Sequence, residues 1–153
     1  ARVQNRTASK THFHLVYGTR HVKGLIEFRK VEKDAMRAQE DCRVQAKEAD
    51  RFESTRQGGL FSGLDLTEHQ ADPDPRAHDR MQAREWVVKN LQNGPIPFED
   101  CRIEILQSYS VTEPELKDLL VAIRDDGLAE FTGMKLRQRK PDEGVTIKAG
   151  AAD

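Results

Sequence analysis

Basic side chains crowd one short stretch near the end of the chain. Lys135, Arg137, Arg139 and Lys140 stand on a segment punctuated by glycine and proline, and Lys148 follows just after it. Arginine and lysine on a hairpin suit phosphate oxygens. Charge-assisted bonds to phosphate position a protein on a polyanion without reading its bases. Arg137 and Arg139 alternate, so an extended hairpin would place them on one face together with Lys135, while Lys140 begins the turn. Upstream, Lys117 and Arg124 are seven residues apart and share a helix face, adding a small positive stripe. The competing interpretation is a solvated hairpin whose edge charges discourage strand-to-strand aggregation.

Other chemistry is weaker. His12 and His14 form an H-x-H pair on one strand face, a spacing that can ligate a metal. His21 is the one nearby third ligand, and strand histidines satisfied by hydrogen bonds are commoner, so no metal is expected. No Gly-x-Ser-x-Gly elbow, dinucleotide-binding glycine motif or P-loop occurs. Gly58, Gly59 and Gly63 are too loosely arranged to cradle a phosphate. The adjacent Glu40 and Asp41 lie in a charged helical stretch and read as solvated. The chain therefore presents no catalytic constellation and no cofactor site of its own.

Bulk properties narrow the partners. With 153 residues, 37% hydrophobic and 33% charged, there is room for one domain or two small ones with a modest core. The formal net charge is -1, so no global basic field holds a polyanion and any such site must be local. Cys42 and Cys101 lie far apart without metal-ligand spacing and read as buried thiols in a reducing compartment. There is no apolar run long enough for a membrane span and no apolar signal core at the N-terminus, so a cytoplasmic location is expected.

The elements that must carry these residues can be read from periodicity. Residues 11–18 alternate as a strand, with Phe13, Leu15 and Tyr17 on one face. No comparable strand precedes it, which suggests a missing larger sheet. From Leu25 to about Arg56 there is no glycine or proline. Leu25, Phe28, Val31, Ala35, Ala38, Cys42, Ala46 and Ala49 form a stripe that fades to alanine along a long, charge-laced helix. Residues 58–80 carry Gly58, Gly59, Gly63, Pro73 and Pro75 and read as a flexible linker.

Residues 81–149 then follow winged helix-turn-helix order. A helix from about Asp79 to Leu91 carries Ala83, Val87 and Leu91 inward and stops at Asn93-Gly94. Pro95-Ile96-Pro97 suits only a sheet edge. A second helix, Phe98 to Ser108, turns Phe98, Cys101, Ile105 and Leu106 inward. The third has a capping box, Thr112 with Glu115, Pro114 in its first turn, Leu116, Leu119, Leu120 and Ile123 as its apolar stripe, and Gly127 as its stop. Two short strands, 128–132 and 145–148, flank the basic tip. The third helix carries Glu113, Glu115, Asp118, Asp125 and Asp126, so it repels phosphate, and the hairpin is the better contact.

His14-Leu-Val-Tyr-Gly-Thr-Arg-His-Val-Lys-Gly-Leu25 resembles the C-terminal part of the bacterial three-Cys-motif partner proteins, in which a Thr-x-His-x-x-Gly-Leu turn leads from a strand into a helix. Thr19, His21, Gly24 and Leu25 occupy those positions. The segment Gly133-Met-Lys-Leu-Arg-Gln-Arg-Lys-Pro141 is similar to the winged domain that ends such proteins. The resemblance implies an absent Rossmann-like, methyltransferase-like domain and a separately encoded partner carrying three cysteines.

The expectation is thus an α+β chain, the C-terminal portion of a larger protein. Residues 1–57 would be a strand and long helix left from a Rossmann-like α/β domain, 58–80 a linker, and 81–149 a winged helix-turn-helix. The expected function is binding of DNA or RNA through the backbone, using Lys117, Arg124, Lys135, Arg137, Arg139, Lys140 and Lys148. The alternatives are a protein–protein adaptor docking through the acidic third helix or the long helix, and a fragment of a methyltransferase- or nuclease-like enzyme.

Overall fold

The computed structural model describes residues 2–4, 11–14, 16–55, 74 and 76–150. The protein is α+β, and the chain divides into two compact units, 1–18 with 30–74 and 19–29 with 75–153. Among the described residues there are four helices and two antiparallel sheets.

In the first unit, β1 (Arg2–Gln4) pairs with β2 (Thr11–His14), with Arg2 opposite His14 and Val3 opposite Phe13. This corrects the expectation that the strand lacks an earlier partner. It is also shorter than 11–18, since residues 16–19 are not strand. An antiparallel pair satisfies backbone groups locally, and no Rossmann fold is shown among the described residues. Most of the expected linker lies outside the described residues, and its last part is instead the first turn of a helix at Ala77.

The long helix α1 (Val22–Thr55) forms as expected, but Gly24 lies within it rather than before it. Thr19 sets its start: its Oγ1 accepts from the His21 N–H at 3.2 Å. The covered face also differs from the apolar stripe. Ala46 of that stripe is buried, but so are Glu32 and Arg43 outside it, whereas Val31 is 63% exposed and Ala35, Ala38 and Cys42 are exposed. Beyond Val31 the stripe consists mostly of alanines, which gain little from burial. The longer stems of Glu32 and Arg43 cover more area, and Arg43 is anchored to Glu40 one turn away at 3.0 Å. Cys42 is therefore not a packing residue; Cys101 is, and burial pushes its thiol up to about 12.

The second unit holds the core. It is built from α2 (Ala77–Leu91), β3 (Ile96–Pro97), α3 (Phe98–Ser108), α4 (Glu113–Asp125), β4 (Ala129–Thr132) and β5 (Thr146–Ala149). Ala83, Val87 and Leu91 of α2 meet Phe98, Cys101 and Ile105 of α3 and Leu116, Leu120 and Ile123 of α4. Ala129, Val145 and Ile147 close that core from the sheet. These are the positions that a 3.6-residue period selects. The sheet order is β3-β5-β4, all antiparallel, so proline-containing β3 is an edge as its missing donors require. The first turns of α1 belong to this unit because Arg29 caps α3. Its guanidinium donates to the carbonyls of Leu106 at 2.7 Å and Gln107 at 3.1 Å, which no helical N–H reaches.

Both ends of α4 are sealed. At its start the Glu115 carboxylate accepts from the Thr112 N–H at 2.9 Å and hydroxyl at 2.7 Å, completing a capping box. At its end Gly127 takes φ +77. Gly127 N donates to the Arg124 carbonyl at 2.9 Å and Leu128 N to that of Ile123 at 3.1 Å, a Schellman closure.

Candidate nucleic-acid interface

The loop between β4 and β5 leaves the sheet between two glycines in the left-handed region, Gly133 (φ +85) and Gly144 (φ +83). A Cβ at Gly133 would stand 2.8 Å from the Gly144 carbonyl oxygen, so only glycine allows the two limbs to approach here. The loop is not the extended ribbon expected from the alternation of Arg137 and Arg139. Gln138 N donates to the Lys135 carbonyl at 3.0 Å, closing a turn with Leu136 and Arg137 at its centre. Arg137 adopts φ 70, the left-handed position of such a turn. The Gln138 side chain stitches the turn to both flanks: its Oε1 accepts from Lys135 N at 2.9 Å, and its Nε2 donates to the Lys140 carbonyl at 2.9 Å. Turn formation therefore replaces a shared strand face with a compact tip.

The returning limb is tied down onto the helices. Asp142 accepts from Lys117 Nζ at 3.2 Å, Glu143 pairs with Arg102 at 3.2 Å, and Glu99 accepts from Gly144 N at 2.6 Å. Pro141 is fully buried between these contacts, Lys140 pairs with Asp118, and the Arg139 carbonyl accepts from Arg124 Nη1 at 3.3 Å.

These contacts sort the predicted cations into two sets. Lys117 is held by Glu113 at 3.0 Å and Asp142, with the Phe98 ring 5.5 Å away. Burial pulls its ammonium pKa down, but bonds to Glu113 and Asp142 outweigh that and raise it above the ordinary value. Arg124 is held by Asp125 at 2.7 Å and lies over Phe131. The positive stripe expected on the third helix is thus neutralised in place, and Lys140 is paired. Lys135, Arg137, Arg139 and Lys148 are exposed and their side chains make no ion pair among the described residues. Around the three on the loop, Asp142 and Glu143 are taken by cations of the helical body, Glu99 by a backbone N–H and Asp118 by Lys140. Lys148 stands opposite Glu130 in the β4–β5 register, on the sheet rather than at the tip.

Sequence reasoning missed Glu99, Arg102 and Leu136. Arg102 sits four residues after Phe98 on the inward face of α3, which was the visible signal for an anchored charge. Leu136 was visible as a lone apolar residue amid Lys-Leu-Arg-Gln-Arg-Lys; it is 96% exposed at the tip. The His12–His14 pair has side chains outside the described residues, and among the described residues no group of three His, Cys, Asp or Glu is placed to hold a metal. None of the described helices is long and apolar enough to cross a membrane.

The loop base is acid-labile. The Gly144 N–H holds the Glu99 carboxyl below its ordinary value, and a backbone N–H at Glu143 with Lys117 does the same for Asp142. A folded-state pKa that is depressed contributes stability above the unfolded value, which is lost as pH falls through the folded one. The protection of the Gly144 amide, followed by NMR as its exchange rate relative to the chemical rate at each pH, is expected to fall as pH drops below about 4. Glu99→Gln should largely remove that pH dependence.

Comparison of the chain with protein-family models, with curated proteins and with solved structures finds no match.

Proposed function

We propose that residues 76–150 form a winged helix-turn-helix module that binds nucleic acid through phosphate contacts made by Lys135, Arg137 and Arg139, with Lys148 as a flanking contact. The order helix, short strand, two helices, strand, loop and strand supports this assignment, as does the seating of β3 on β5. The observation that carries the function is the cluster of three exposed, unpaired cations on a loop whose own acids are occupied. In this reading α4 is scaffold, because Asp118 and Asp125 lie exposed along it. The likeness to three-Cys-motif partner proteins, a cytoplasmic setting and a separate partner protein belong to the same proposal.

The test is a salt titration of binding to a short duplex. Each phosphate neutralised adds about 0.9 to the slope of log affinity against log salt. Arg137→Ala with Arg139→Ala is expected to lower that slope by roughly 2 and to weaken binding about tenfold or more at low salt, independent of base sequence. An unchanged slope and affinity would remove the wing from the interface. Retention of a protein partner at high salt, with no duplex binding, would favour the adaptor instead.

A further inference from the structure

Leu136 occupies the apex of the tip with 96% of its surface exposed. A single exposed leucine is ordinary on a protein surface; the surroundings of this one are not. Arg137 beside it holds φ 70, a conformation that non-glycine residues rarely adopt. The turn carrying both is braced by three hydrogen bonds through Gln138. The apolar side chain is therefore held outward on a braced turn, with unpaired Lys135, Arg137 and Arg139 on the same loop.

We propose that Leu136 is an apolar wedge that enters the minor groove of duplex DNA and partly unstacks one base step, while the flanking cations hold the phosphates on either side. This rests on the wing being the nucleic-acid contact. Charge complementarity chooses the occupant: exposed cations precede and follow a single small apolar point along the loop, which matches one base step between two charged backbones. The narrow minor groove of B-form DNA supplies walls for such a wedge, whereas the minor groove of an RNA duplex is wide and shallow. A bilayer surface suits it less, because one leucine buries too little to anchor a protein there. A wedge of this kind confers preference without base-edge hydrogen bonds. It favours pyrimidine–purine steps, which unstack most easily.

The experiment uses the full chain and two end-labelled DNA duplexes of equal length, one with a central TA step and one without pyrimidine–purine steps. Anisotropy reads affinity and energy transfer between the ends reads bending. The wild-type chain is expected to prefer the TA duplex by roughly fivefold, the size of one discriminated base step, and to bend it. Leu136→Ala should abolish the preference and the bend while leaving the salt slope intact, and Leu136→Met should retain both. Leu136 is exposed, so these substitutions leave the core untouched. Salt-sensitive binding with preference and bending unchanged in Leu136→Ala would overturn the wedge and leave the phosphate reading standing. Absence of salt-sensitive binding by the wild-type chain would overturn both. Leucine-dependent binding to phosphatidylserine vesicles, or to an RNA duplex, without binding to DNA would overturn the wedge in favour of that surface.

Discussion

Glu115→Ala is expected to lower the stability of the C-terminal unit by about 3 kcal/mol, which for a domain of this size is a fall in Tm of roughly 10–20 °C. Glu115 does two jobs at once. Its carboxylate completes the capping box with Thr112, and it receives both arms of Arg76, at 3.0 Å each. Arg76 is only 8% exposed, at the N-cap of α2. Removing Glu115 takes a bidentate carboxylate from a largely buried guanidinium, and the loss of those two charge-assisted bonds is the larger part of the cost. Losing the cap adds about 1 kcal/mol. Glu115→Gln separates the two, since an amide still caps α4 but no longer neutralises Arg76. Its loss should fall between wild type and Glu115→Ala. Pairing Glu115→Ala with Arg76→Met should recover part of the deficit, because a buried ion pair is often replaceable by apolar packing. Thermal melts of these four proteins and of Arg76→Met alone check this. A double variant as unstable as the sum of the singles would show that the two residues act separately.

The capping box was legible from Thr112 and Glu115 because it is local: four consecutive residues contain everything it needs. The same holds for Gly127 as a helix stop and for the inward faces of α2, α3 and α4, where bulky aliphatics at helical spacing left one choice. Arg76 was not legible. Its partner is distant in sequence, and an arginine beside a proline carries no local sign of burial. The long helix shows the complementary failure. Its periodic alanines marked a stripe, but alanine has too little surface to decide which face is covered, and of that stripe's alanines Ala46 is buried while Ala35 and Ala38 are exposed and Glu32 and Arg43 are covered. β2 was legible as a strand, but its partner β1 is too short to show alternation.

The candidate site divides along the same line. That Lys135, Arg137, Arg139 and Lys140 would share one loop followed from their adjacency. Which of them stay unpaired depended on contacts with Asp118 and, through the occupied acids, on Lys117, Arg102 and Glu99, all distant in sequence. Alternation predicted one strand face, yet a turn closed by Gln138 turns Leu136 and Arg137 outward together. A glutamine has no strong turn preference to announce this; only its fit to Lys135 and Lys140 makes the turn.

Phe98→Ala is expected to be at least as costly as the loss of Glu115, at about 3–5 kcal/mol. Phe98 is fully buried and joins three elements. Its N–H donates to the Val145 carbonyl at 2.9 Å, extending the β3–β5 ladder into α3, while its ring fills the core. The same ring lies 5.6 Å from the Arg102 guanidinium and 5.5 Å from Lys117 Nζ. Those two cations hold Glu143 and Asp142 on the returning limb of the basic loop. Phe98 thus supports the residues that tether the loop as well as the core beneath it. Phe98→Leu keeps most of the volume but loses the aromatic face. It should cost no more than about 1–2 kcal/mol, including up to ~1 kcal/mol for each cation contact. Denaturant melts distinguish these contributions. If Phe98→Leu combined with Lys117→Met is destabilised by less than the sum of the two single losses, the ring and the ammonium are coupled; strict additivity would leave Phe98 as core filling alone.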